Sequence, residues 1–233
     1  MNPAIDNLLR KYQPGFHPVV TFDDKRHKLR LMDFTEKNNE LDSRTLVNTE
    51  AFCNYIDSKL NEGGFLYGIG GYNERRTVYN RSRVFDATVP GEEPRRLHLG
   101  TDIWGKAGTE VFAFMGGMIH SYAFNNQFGD YGATLITSHQ LDGVSFYTLY
   151  GHLSLRDIEN ISSGQYITRG EIIGHFGEPL ENGHWPPHLH FQIIIDLELR
   201  EGDYPGVCRY SERDKYLNNC PDPDLILNMN RFL

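Results

Sequence analysis

The 233-residue chain carries 31 acidic against 23 basic side chains, a net charge of -8, and 39% of its residues are hydrophobic. A chain of this length can bury a sizeable core, and the acidic balance without a lysine and arginine stripe argues against nucleic-acid or anionic-membrane partners. No apolar run approaches the roughly 20 residues that span a bilayer, and Cys53, Cys208 and Cys220 lack a Cys-x-x-Cys spacing, which removes a disulfide framework and a thiolate zinc cluster.

The opening stretch MNPAIDNLLRKYQPGFHPVV has neither a basic start followed by an apolar block nor a small-residue cleavage site. With three unpaired thiols, it predicts a cytoplasmic protein. A strand is expected near HKLRLMDF. In TEAFCNYIDSKLNEGG, Phe52, Tyr55, Ile56 and Leu60 recur at helical spacing, which predicts a helix over 49–62 with Thr49 as N-cap and Gly63 as its stop. GIGGYNERRTVYNRSRVF reads as a loop or edge strand whose arginines are solvated. From about Gly91 the chain turns to short apolar or alternating runs divided by glycine, among them EVFAFMGGMIHSYAF, GATLITSHQ, VSFYTLYGHLS, EIIGHFG and HLHFQIIID. Strands at this spacing predict a mainly β, largely antiparallel architecture. The tail, CPDPDLILNMNRFL, is broken by Pro221 and Pro223 before a short apolar segment.

The run NGHWPPHLHFQIIID concentrates the candidate chemistry. Leu189, Phe191, Ile193 and Ile195 take every second position, so His188, His190 and Gln192 share the opposite face of a strand. Same-face neighbours lie roughly 6–7 Å apart, close enough for two imidazoles to reach one small site. A zinc enzyme site needs about three protein ligands of histidine or carboxylate type and one open position. RRLHLGTDIWGKAGTEV offers His98 and Asp102 around Gly100, which allows a tight backbone turn, and FYTLYGHLS offers His152 at the end of a strand-like run.

Taken in order, His-x-Gly-x-Asp, Tyr-Gly-His-Leu-Ser and His-Leu-His-Phe resemble metallopeptidase family 23, the lysostaphin and LytM type of zinc endopeptidase. AGTEVFAFMGGMI and GQYITRGEIIGHFG also resemble framework segments of that family, and the likeness covers roughly residues 95–196. It implies a mainly β peptidase core over 86–233, preceded by an α+β extension over 1–85 that acts as a lid or completes the core. It further implies one zinc per chain on His98, Asp102 and His190. His188 would then be the general base and His152 would steady the developing oxyanion, in the hydrolysis of a peptide, including a peptidoglycan-type amide. Arg96 matches an arginine often present before the first histidine and would orient polar groups, while Tyr150 would line the groove. GDYGATLITSHQ, NGHWPPHLHFQIIID and GDYPGVC together look like the peptidase-like middle domain of fusion proteins that also carry kinase-like and class III aminotransferase domains. That second likeness keeps another reading open, a metal-binding accessory domain without hydrolysis.

Two residues beside the motif, His184 and Trp185, are candidate substrate contacts. His17, His27, His120, His139 and His175 read as surface or packing residues. A cupin would place a glutamate three or four positions after His190, where Ile193 and Ile194 stand. No His-Glu-x-x-His of the thermolysin type occurs. The oligomeric state is not legible.

Overall fold

The computed structural model describes residues 3–233. Among the described residues there are twelve strands: β1 (Leu29–Leu31), β2 (Tyr67–Gly70), β3 (Leu97–His98), β4 (Thr101–Trp104), β5 (Glu110–Phe112), β6 (Gly117–Asn125), β7 (Gly132–Leu141), β8 (Val144–Leu153), β9 (Tyr166–Ile167), β10 (Ile172–His175), β11 (His188–Ile194) and β12 (Val207–Cys208). Eight of them form one sheet in the order β1, β2, β4, β11, β8, β7, β6, β9, and β10–β5 and β12–β3 form two small ribbons. Every neighbouring pair of the large sheet is antiparallel except β1 and β2. The mainly β expectation is met, with one parallel pair at an edge.

The period-two pattern of β11 sets which face becomes core. Leu189, Phe191 and Ile193 are fully buried against Phe114, Phe146 and Tyr150, while His188, His190 and Gln192 face the other way. Both faces of this strand are covered, so all seven residues are buried. α1 (Pro3–Tyr12) buries Ile5 and Leu9 in the first core and packs beside α5 (Asp224–Leu227). α4 (Arg213–Asn219) buries Leu217 in a cluster with Leu97, Leu99, Leu149 and Ile194.

Residues before 86 enter the same sheet. β2 pairs directly with β4, placing Gly70 opposite Asp102, and β1 extends the sheet by one strand. α2 (Ser43–Val47) is capped by Asp42, and α3 (Thr49–Asn61) lays Phe52, Ile56 and Leu60 against Trp104 and Trp185. The cap of α3 differs from expectation. Asn48 accepts from the Ala51 amide at 2.9 Å, and Thr49 instead donates its hydroxyl to the His184 carbonyl. A terminal Asn has the short acceptor that the first-turn amides need, and it stands one residue earlier. At the other end Gly64, not Gly63, takes the left-handed conformation (φ +64°) that turns the chain out.

The arginine-rich segment is only partly solvated, with Arg75 and Arg83 exposed as expected but Arg76 and Arg81 buried. It forms two short 3-10 turns over Val78–Arg81 and Arg83–Phe85, with Arg76 and Arg81 only 2% and 5% exposed. Arg81 sits among Phe52, Phe128 and Trp185, with its guanidinium carbon 4.5 Å from the Trp185 ring centre. Cation–π attraction from three rings offsets part of its lost hydration, yet burial still pushes the guanidinium down to about 10.

Candidate metal centre

Strand register assembles the floor of the site. β11 lies between β4 and β8, with His190 opposite Asp102 on one side and Gly151 on the other. His98 ends β3 and Asp102 lies in β4, joined through Gly100. A Cβ on Gly100 would stand 2.5 Å from His190 Cε1, so only glycine leaves room for that ring. The result is a tight triangle. His98 Nε2 is 2.9 Å from His190 Nδ1, and Asp102 Oδ1 is 3.3 Å and 3.1 Å from the same two nitrogens.

The outer atoms of the two rings decide what the inner atoms offer. His98 Nδ1 donates to the Gly71 carbonyl at 2.9 Å, and His190 Nε2 donates to Gln192 Oε1 at 2.9 Å. Carbonyl oxygens only accept, so the protons sit there and both inner nitrogens carry lone pairs. Burial, reinforced by Arg76, pushes His98 down to about 3, which keeps it neutral. Burial opposes ionisation of Asp102, but the charged guanidinium of Arg76 beside it outweighs that and holds the carboxyl well below its ordinary range. Three acceptor atoms thus face one another within a group that could hold a metal ion. A cation resolves their mutual repulsion, and two imidazoles with one carboxylate suit zinc.

His152 reaches this face by a break in the strand. By simple alternation it would follow Tyr150 into the core. The pairing of β7 with β8 slips between Ala133 and Leu135, inserting one extra residue into β8, and His152 adopts φ +65°. Such a bulge re-aims a side chain, and here it brings His152 to 4.1 Å from His188, centre to centre. Gly151 makes the turn feasible, since a Cβ there would lie 2.5 Å from the Tyr131 ring.

This second pair is built alike. His152 Nδ1 donates to the Asn182 carbonyl at 2.8 Å and His188 Nδ1 to the Pro186 carbonyl at 2.7 Å. Each therefore presents a bare Nε2. Burial pushes His188 down to about 4, and burial with the neighbouring His188 holds His152 well below its usual value. Neutral His152 is an acceptor at Nε2, so it can donate to an oxyanion only after taking a proton, a condition the sequence did not reveal. His188 is further fixed by stacking on Trp104, with ring centres 3.9 Å apart and planes inclined by 15°.

These five side chains share a cavity of about 510 Å3, which Arg76, Tyr79, Phe85, Arg95, Tyr131, Trp185 and the 203–207 segment also line. Trp185 forms part of the wall, as a substrate contact would, and is also a packing anchor that donates Nε1 to the Asp130 carbonyl. The other three candidate substrate contacts lie elsewhere. Tyr150 is buried in the core against Phe191, because it sits opposite that core residue in the sheet. Arg96 turns away to Asn80, Asp86 and the Phe85 carbonyl, where it braces the 80–86 segment. His184 stacks near Phe128 outside the cavity.

Sequence reasoning missed Arg76, Tyr131 and Gln192. Gln192 was findable, since it follows His190 by two on the same strand face. Arg76 and Tyr131 carry no local signal. His17, His27, His120, His139 and His175 all lie outside the cavity.

Residues 96–201 match the profile of peptidase family M23. The chain is 31% identical over 150 residues to the L-Ala--D-Glu endopeptidase of Bacillus subtilis (strain 168), a match spanning 60% of this chain and 43% of that protein. It therefore spans less than half the length of this curated relative. Among solved structures, it is similar to the antimicrobial peptidase lysostaphin from Staphylococcus simulans (25% identity, 65% of this chain and 51% of that one, TM-score 0.40). It is also similar to a zinc containing peptidase from Vibrio cholerae (25% identity, 47% of this chain and 30% of that one, TM-score 0.35).

Proposed function

Residues 96–201 place this chain in peptidase family M23, and from that premise we propose that it is a zinc-dependent metallopeptidase hydrolysing a peptide amide bond. The observation that carries the reading is the convergence of His98 Nε2, Asp102 Oδ1 and His190 Nδ1 within 3.3 Å of one another, each ring having its other nitrogen already bonded. Zinc, when bound there, acidifies a water and polarises a carbonyl.

The chain's own residues supply the proton handling. The bare Nε2 of His188 takes the proton from the attacking water, with its ring held by Trp104 and the Pro186 carbonyl. His152, adjacent and equally fixed, takes that proton over from His188, donates to the oxyanion while holding it, and gives it up to the leaving nitrogen as the C–N bond breaks. Two imidazolium rings at 4.1 Å would repel, so the pair holds one proton at a time. Tyr79, Phe85 and Trp185 form an apolar wall that limits water around the reacting bond. In this reading residues 1–85 complete the sheet and part of that wall. The substrate is a small peptide amide, and the Bacillus relative makes an Ala–Glu linkage of the peptidoglycan type the first to try.

Metal analysis by plasma mass spectrometry on the wild type, Asp102→Ala and His190→Ala tests this. About one zinc per chain, lost in both variants, is expected, followed by chelator-sensitive cleavage of Ala–Glu peptides. A wild type that takes up no zinc even after incubation would overturn it. Zinc uptake with every tested amide intact would favour the non-hydrolytic accessory reading.

A further inference from the structure

Asp102 has two carboxylate oxygens with different fates. Oδ1 faces His98 and His190, whereas Oδ2 is bonded by Nη1 of Arg76. Arg76 lies outside the family match and is only 2% exposed, and its other two nitrogens are bonded elsewhere: Nε to Glu74 Oε2 at 2.6 Å and Nη2 to the Gly70 carbonyl at 3.1 Å. Its guanidinium also lies 5.2 Å over the Phe34 ring. The neighbouring backbone is shaped around it. A Cβ on Gly71 would stand 1.7 Å from Nη2, and Gly71 has the positive φ (+102°) that favours glycine.

We infer that Arg76 is a positioning residue for the metal centre, occupying Asp102 Oδ2 so that the carboxylate can offer a cation only Oδ1. The inference rests on the metal reading above. A carboxylate free at both oxygens can chelate through both, which raises the coordination number and uses a position the reaction needs open. Arg76 prevents this with a rigid fork anchored at three points on β2, Glu74 and Asp102. Lysine carries the same charge but no planar fork, and one ammonium cannot reproduce those directed contacts. Orientation and charge are therefore separable by substitution. Because Arg76 contributes from before the matched segment, the metal geometry depends on the N-terminal part of the chain as well as on the family motifs.

Zinc affinity is measured by competition with a chromophoric chelator in the full chain, for the wild type, Arg76→Lys and Arg76→Gln. Outer-shell changes of this kind cost about 10–100-fold in metal affinity, and both variants are expected to show such a loss. Cobalt(II) in place of zinc is expected to give strong visible absorption in the wild type, typical of four-coordination, and weaker bands in both variants as Asp102 becomes bidentate. Full affinity and an unchanged cobalt spectrum in Arg76→Lys would overturn the role of orientation. Removing one partner of a buried ion pair can unfold a chain, so a second measurement uses the wild type alone. The carboxylate infrared bands that change on zinc binding should show a monodentate ligand, and a bidentate signature would overturn the inference outright. A wild type that binds no zinc would bring down the metal reading itself, an outcome distinct from equal binding by wild type and variants.

Discussion

The floor of the cavity is built from β4, β8 and β11, whereas much of its wall comes from residues 76–85 and Trp185. On the floor, Asp102, His152, His188 and His190 each have an assigned hydrogen bond, and their positions follow from strand register and one bulge. In the wall, aromatic rings pack with little backbone regularity, and behind them two nitrogens of the buried Arg81, which lies against Trp185, lack a hydrogen-bond partner. The difference separates two physical tasks. Directed hydrogen bonds fix proton positions on the floor, while non-directional burial encloses space above it.

If that division is right, substitutions in the two regions should fail in different ways. The largest effect is expected on the floor. His188→Ala should lower kcat by about 10^2–10^4-fold with zinc content unchanged, read by steady-state kinetics beside metal analysis, and a change confined to KM would remove His188 from proton transfer. In the wall, Phe85→Ala should destabilise the protein by about 3 kcal/mol, since Phe85 packs on Tyr79 at 4.5 Å between ring centres. Urea unfolding reads that loss, and KM is expected to rise more than kcat falls. Unchanged stability would show that the wall is not part of the core.

A smaller effect sharpens the comparison from behind the floor. His139 is buried on β7, donates Nδ1 to the Gly116 carbonyl and accepts at Nε2 from the hydrogen-bonded Thr137–Thr148 hydroxyl pair, away from the cavity. Burial lowers it from 6.5 to about 4. Its folded pKa is depressed, so the unfolded chain takes up the proton first. Stability contributed by His139 is complete above pH 6.5 and is lost as pH falls toward 4. Within that window its share is a slope of about 1.4 kcal/mol per pH unit at most. His139→Gln should flatten the acid limb of unfolding free energy by up to that amount, and identical slopes would show that burial there is looser than the structure has it.

Much of the site could be read from local pattern. The period-two run of β11 put His188, His190 and Gln192 on one face, and the short spacing across Gly100 coupled His98 to Asp102. His152 was identified by its motif, yet alternation alone would have sent it into the core with Tyr150. The same limit produced the errors. Tyr150 looked like a groove residue because its motif neighbour is one, and Arg96 looked like a site residue because it precedes His98. Helix α1 was passed over although Ile5, Leu8 and Leu9 have helical spacing. The Asn48 cap of α3 was missed by one position, a matter of backbone conformation that spacing does not specify.

The sequence by itself determined what repeats at short range: the strand faces, the apolar stripe of α3, and the residue types able to hold a cation. Only the tertiary structure decided what those residues meet. Arg76 reaches Asp102 across 26 residues because β2 pairs with β4. The Gly71, Asn182 and Pro186 carbonyls fix the ring protons of His98, His152 and His188 because folded loops carry them there. Side-chain periodicity is a property of the local backbone. The partner of a hydrogen-bonding group is set by which distant segments the core brings together, and no local pattern encodes that choice.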